Sequence, residues 1–229
     1  MKHGKKYRES VKKYNITNTY DLEEALTLVK SLAYAKFDET VDLSVNLNLK
    51  KSQSVRDTVV LPHQFRGEKK VLVFCKPEKE DEAKEAGAAF VGADDLIEKV
   101  KGGWTEFDVA VATPDMMKDV GKLGMVLGRK GLMPNPKTGT VTFDLKGTLA
   151  ELKKGRTEFR ADKTGVVHLA VGKVSMEPAQ VAENIKVVVT EIKRKRPADA
   201  KGDFIKTISV ASTMGPGVWV SVAEHEEGV

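Results

Sequence analysis

The stretch "TVDLSVNLNL", Thr40 to Leu49, decides how this chain is read. Val41, Leu43, Val45, Leu47 and Leu49 alternate with Asp42, Ser44, Asn46 and Asn48. Successive side chains of a strand point to opposite faces, so this pattern predicts a strand with one buried and one polar face. Such strands build antiparallel sheets that are covered on one side only.

Thirty residues on, the strand signal changes character. "KVLVFC" (Lys70 to Cys75) and "FDVAVAT" (Phe107 to Thr113) carry continuous apolar runs. That pattern belongs to parallel strands covered on both faces. Helical segments separate and follow them: "EKEDEAKEAG", "ADDLIEKVKGG", "TPDMMKDVGKLG" and "LKGTLAELKKG". Strand–helix alternation at this spacing predicts a three-layer α/β unit. From Thr157 the earlier style returns in "RTEFRA", "GVVHLAV" and "FIKTISVAS", together with the amphipathic "PAQVAENIKVVVTEIKRKR". Pro178 suits a helix's first turn, and Lys193 to Arg196 suit the negative end of its dipole.

Before Thr40, "DLEEALTLVKSLAYA" predicts an amphipathic helix, with Asp21 and Glu24 spaced for a capping box. Each flank offers one long helix and a few half-exposed strands, too little for a core of its own. Together they supply two helices for one face of a single antiparallel sheet. The expected organisation is therefore a split α+β domain, residues 1–66 and 157–229, with an α/β domain inserted at 67–156. A double linkage near Arg66-Gly67 and Arg156-Thr157 is compatible with hinge motion.

The 229 residues include 41% hydrophobic and 31% charged side chains, a globular composition without an apolar run long enough for a membrane helix. A single cysteine, Cys75, inside an apolar run, fits a reducing, cytoplasmic setting. The net charge of +5 is concentrated early, where residues 1–66 carry 12 Lys and Arg against 8 Asp and Glu. The basic arm "MKHGKKYRESVKKY" reads equally as a solvated helix face or a phosphate-contacting segment.

Enzyme chemistry is hard to find. His3, His63, His168 and His225 stand far apart without partners at metal-ligand spacing, so neither metal nor cofactor is expected. "VATPD" at a strand end could pass for a catalytic loop at the carboxyl edge of a parallel sheet, but the favoured reading is a helix start, with Thr113 or Asp115 capping and Pro114 in the first turn. "GLMPNPKT", Gly131 to Thr138, approaches the phosphate-loop pattern but has Pro136 where that pattern needs glycine. Pro134 and Pro136 remove two backbone N–H donors, and the following "TGTVTF" reads as strand rather than helix. A nucleotide-binding enzyme using the inserted domain remains the rival reading.

Six stretches then act as a set: "AKFDETVDL", "VRDTVVLPH", "VATPDMM", "LGRKGLMPNPKTGTV", "FRADKTGVVH" and "TMGP". Through them the chain resembles, over essentially its full length, the bacterial form of the large-subunit ribosomal protein family L-one. The resemblance implies a Rossmann-like inserted domain and a non-enzymatic protein of the cytoplasmic large ribosomal subunit. It implies binding to the mobile rRNA stalk near the tRNA exit site, where deacylated tRNA leaves, and translational repression through the protein's own mRNA. A protein of this family is expected to be monomeric when free.

It also implies RNA contacts at Lys36, Phe37, Thr40 and Asp42, at Thr164, Gly165 and His168, and at Ser212, Thr213, Met214 and Gly215. These residue types suit the task. A threonine hydroxyl can both donate to and accept from a ribose 2′-OH, and glycine permits close backbone approach. Phe37 and Met214 would dry the surrounding hydrogen bonds, and Lys36 would meet phosphate. From the residues alone, the favoured reading is that Phe37 and Met214 are ordinary core residues and "TMGPG" a plain hairpin turn.

Overall fold

The computed structural model describes residues 4–50, 53–67, 69–197 and 202–221, with the side chain of Lys137 excepted. Met1 to His3 of the basic arm, and His225, lie outside the described residues. The first elements are α1 (Lys5–Val11), β1 (Thr19–Tyr20), α2 (Leu22–Leu32), β2 (Thr40–Leu47) and β3 (Arg56–Val60). Next come β4 (Val71–Phe74), α3 (Glu80–Glu85), β5 (Phe90–Gly92), α4 (Asp94–Lys101) and β6 (Val109–Ala112). Three more helices follow: α5 (Met117–Val120), α6 (Gly124–Arg129) and α7 (Leu145–Lys153). The last are β7 (Arg156–Arg160), β8 (Val166–Lys173), α8 (Pro178–Arg194), β9 (Ile205–Ser212) and β10 (Gly217–Val220).

The chain divides into two compact units, Met1–Phe65 with Glu158–Val229, and Arg66–Thr157. The first holds a five-stranded sheet in the order β1-β10-β9-β2-β8. Strand β2 is antiparallel to both neighbours, β8 and β9, and buries Val41, Leu43, Val45 and Leu47 while its alternate residues stay half-exposed. The buried set joins one core with Leu22, Leu26 and Val29 of α2 and Ile185, Val188 and Ile192 of α8, so both helices cover the same face. The opposite face is left to solvent along its polar rows.

Three expectations need correction. The sheet is not wholly antiparallel, because β1 pairs parallel with β10 through Thr19–Trp219 and Tyr20–Val220. The "RTEFRA" strand does not extend it either: β7 forms a separate ribbon with β3 and meets β8 in the single bridge Ala161–Val167. The turn joining them is closed by Gly165 N–H donating to Asp162 O at 3.2 Å and by Asp162 N–H donating to Val166 O at 2.9 Å. Thirdly, Asp21 sits at the N-cap of α2 without a side-chain bond, so no capping box closes. Its carboxylate, with Glu23 and Glu24, still lies at the positive end of the helix dipole.

The second unit is a three-stranded parallel sheet in the order β5-β4-β6. All four residues of β4 are buried. Leu72 and Phe74 enter one core with Leu96, Val100 and Leu127, whereas Val71 and Val73 enter another with Leu145, Leu149 and Leu152. Alternate residues feeding two separate cores is the physical cause of the continuous apolar run. "TGTVTF" falls short of a strand, making only the parallel bridge Ala112–Val141. Asp144, two residues beyond Thr142, already caps α7 by accepting from Gly147 N–H at 3.0 Å, which leaves no length for more pairing.

Candidate nucleic-acid interface

At the start of β2, two loops are tied together by a carboxylate that sequence reading passed over. Glu39 is 2% exposed. Its Oε1 accepts from the backbone N–H of Tyr34 at 3.0 Å and Ala35 at 2.8 Å, and Oε2 accepts from Met214 N–H at 3.0 Å. Burial pushes its pKa up, but the neighbouring Ser212 hydroxyl and these three amides outweigh that, holding the carboxyl below its ordinary value. The Tyr34 hydroxyl closes the arrangement from the other side by donating to Met214 O at 2.7 Å. A signal for Glu39 was present: carried back from Val41, the alternation gives position 39 core parity, and a buried carboxylate must find donors.

Thr213 locks onto the same strand. Its Oγ1 accepts from Thr40 N–H at 2.9 Å and donates to Thr40 O at 3.2 Å, while its own N–H reaches Thr40 O at 3.0 Å. Lys173, also unforeseen, donates to Thr40 Oγ1 at 3.1 Å and Asp38 O at 3.2 Å. On this frame Phe37 is 56% and Met214 50% exposed. Neither is a core residue, and Lys36 is exposed as well. The "TMGPG" segment is the β9–β10 hairpin turn, as the plainer reading had it, and it also bears the exposed Met214.

Two other assigned residues turn inward here. Ser212 is buried, so its side chain supports the turn instead of facing solvent. A Cβ on Gly215 would stand 2.4 Å from Ser212 Oγ, so a side chain there would displace the Ser212 hydroxyl.

Thr164 and Gly165 lie elsewhere, beside the far end of β2. A strand of 8 residues separates the two groups by about 25 Å. Asp162 Oδ1 accepts from the Thr164 hydroxyl at 2.7 Å, Thr164 N–H at 2.8 Å and Val166 N–H at 2.9 Å. These bonds, the Thr164 hydroxyl first, hold the Asp162 carboxyl below its ordinary pKa. Gly165 has φ +88°, and a Cβ there would lie 2.9 Å from Leu47 O. Its glycine is needed to let the turn dock against β2.

Between the two groups, the open sheet face carries Asp42 and His168. Ser44 pairs with His168 and with Ser209, which pairs in turn with the exposed Trp219. Ser44 Oγ lies 3.0 Å from His168 Nδ1. Asp42 is one cross-strand row away, between Ala170 and Ala211. The assigned residues thus occupy both ends and the middle of one strand's solvent side.

The remaining candidates go into structure. His63 Nε2 contacts Glu183 at 2.6 Å. Among the described residues, no group of three His, Cys, Asp or Glu side chains is placed to hold a metal, and no helix is long and apolar enough to cross a membrane. Cys75 is buried, and burial raises its thiol pKa. Thr113 occupies the N-cap position with Pro114 behind it but makes no capping bond. In the near-phosphate loop, Pro136–Thr138 is one 3₁₀ turn, and the Thr138 hydroxyl donates to Asn135 O at 3.1 Å. No strand leads directly into that segment; α6 and an irregular turn do.

Residues 29–216 match the Ribosomal protein L1p/L10e family, and the chain belongs to that family, one of ribosomal proteins and not of enzymes. The Large ribosomal subunit protein uL1 of Treponema denticola is 65% identical over 220 residues, covering 96% of this chain and 97% of that protein. The Treponema pallidum protein of the same name is 61% identical over 227 residues, 99% and 100% of the two chains. That of Borrelia duttonii is 58% identical over 217 residues, 95% and 97%.

Proposed function

We propose that the chain is a structural protein of the cytoplasmic large ribosomal subunit and binds large-subunit rRNA through the solvent side of β2 and the loops at its ends. The supporting observation is the pair Phe37 and Met214, held half-exposed on loops that the buried Glu39 clamps. Preorganised loops lose little entropy on binding, and apolar groups beside polar ones exclude water from the hydrogen bonds that read a ribose edge. In this reading the split unit, residues 1–66 and 157–229, is the RNA-binding domain, and the α/β unit at 67–156 is a Rossmann-like insert. Thr40, Thr213, Lys36, Phe37 and Met214 form the centre of the interface, and Thr164, Asp42 and His168 its extension. Ser212, Gly215 and Gly165 act by shaping the turns.

The target is the mobile stalk near the tRNA exit site, where the protein assists release of deacylated tRNA. The same surface binds a similar structure in the protein's own mRNA and represses its translation. Chemical footprinting with the purified protein on deproteinised large-subunit rRNA tests the first claim: one protected helical region is expected, and uniform reactivity with and without protein refutes it. Adding the leader of the protein's own mRNA should then erase that protection; failure to compete refutes the repressor role.

A further inference from the structure

The basic arm folds as α1, and where it is anchored gives it a role. Tyr7, Ser10, Val11 and Tyr14 are buried or half-buried, one helical face at the expected spacing. Ser10 Oγ donates to Leu32 O at 3.3 Å, in the last turn of α2 and four residues before Lys36. The Tyr14 hydroxyl donates to Gly217 O at 2.8 Å, two residues beyond Gly215. The helix is therefore docked at the end of the sheet where the Glu39 clamp lies.

Its outward side carries Lys5, Lys6, Arg8, Lys12 and Lys13, all exposed, with Glu9 the only acid between them. Among the described residues none of the five makes an ion pair. The first turn of the helix carries this charge at a cost, while Arg8 in the last turn and Lys12 at the C-cap suit the negative end of the dipole. Lys5 and Lys6 occupy the first turn, no acidic residue does, and Gly4 gives no side-chain cap. Cations at the positive end of the dipole destabilise, and Arg8 and Lys12 repel one another at i, i+4 spacing. A helix of 7 residues is far below the ~12–15 that are marginal even for good helix formers. Tertiary anchoring keeps this short helix folded, and a polyanion is the partner that neutralises its exposed cations.

We infer that α1 is a phosphate-binding extension of the rRNA interface, its lysines and Arg8 neutralising the backbone of the strand that enters the Phe37–Met214 site. The assignment rests on the rRNA reading above. It predicts a contribution of position and charge, not of sequence preference.

The test is filter binding to deproteinised large-subunit rRNA across salt, comparing the wild type with a variant carrying Lys5→Gln, Lys6→Gln, Arg8→Gln, Lys12→Gln and Lys13→Gln. Each phosphate contact contributes ~0.7–0.9 to the slope of log K against log salt, so the variant's slope should be shallower by about 2 or more. The thermal midpoint should stay near that of the wild type, because Ser10 and Tyr14 are untouched and the cations lost from the two ends of the dipole offset one another. A second variant, Lys12→Gln with Lys13→Gln, should shift the slope part of the way. Intact binding with unchanged slope and affinity overturns the role of α1 alone. Absence of binding by the wild type overturns the rRNA reading and the assignment with it.

Discussion

Replacing Glu39 should separate stability from recognition more sharply than any other change. Its carboxylate is the acceptor for three backbone N–H groups, at 2.8 to 3.0 Å, in a site only 2% exposed. Glu39→Ala leaves all three without an acceptor; at ~1–3 kcal/mol for each buried unsatisfied group, partly relieved by relaxation, a loss of about 3 kcal/mol is expected. Glu39→Gln keeps a carbonyl oxygen for Tyr34 and Ala35 but turns an amide NH₂ toward Met214 N–H, so about 1–2 kcal/mol should be lost.

In a Trp104→Phe background, Trp219 is the remaining tryptophan and reports from the same sheet as the clamp. With a urea dependence of ~2 kcal/mol per molar, Glu39→Ala should lower the unfolding midpoint by about 1.5 M. The pH dependence has a definite sign. The folded pKa is depressed, so the stability is fully present above the unfolded value of about 4.3 and is lost as pH falls through the folded one. The gap between wild type and Glu39→Gln should therefore narrow below about pH 4. A Glu39→Ala midpoint within ~0.3 M of wild type, or a gap unchanged between neutral and strongly acid pH, would refute the clamp.

If Thr213 belongs to the proposed interface, Thr213→Val should weaken rRNA binding by about 1–3 kcal/mol, since the hydroxyl that engages Thr40 is gone. Thr213→Ser should bind as wild type, and equal affinities for Val and Ser variants would count against the hydroxyl. Phe37→Ala and Met214→Ala should each leave stability within ~0.5 kcal/mol, because both side chains are half-exposed, while costing more than about 1 kcal/mol in rRNA affinity. Unfolding and filter binding on the same samples decide it. Gly165→Ala forces a Cβ into positive φ and against Leu47 O; the melting curve should show a loss of about 1–2 kcal/mol or more.

Much of the architecture is legible in periodicity because burial on one face or two leaves different marks. Strand β2 reads as alternation and β4 as a continuous apolar run, and the cores they enter explain both. Shorter elements escape for the same reason. Strand β5, three half-buried residues, has no room to display a period, and α6 includes Gly124 and Gly128. The family is legible in six ordered stretches, and with it the candidate contacts.

Which residues face outward is another matter. Phe37 and Met214 have the composition of core, and Ser212 that of a surface contact, yet their exposures are reversed. Glu39, Tyr34 and Lys173 act through partners that lie between 4 and 180 positions along the chain. The sequence by itself determined the strand types, the helices that cover them, the family and the charge of the arm. Tertiary structure decided that the arm docks at the clamped end of β2, and that the glycines serve their turns before any ligand. Periodicity is a local consequence of burial and is written in consecutive residues. A hydrogen bond across the fold needs only one residue at each end, so it leaves no pattern to read.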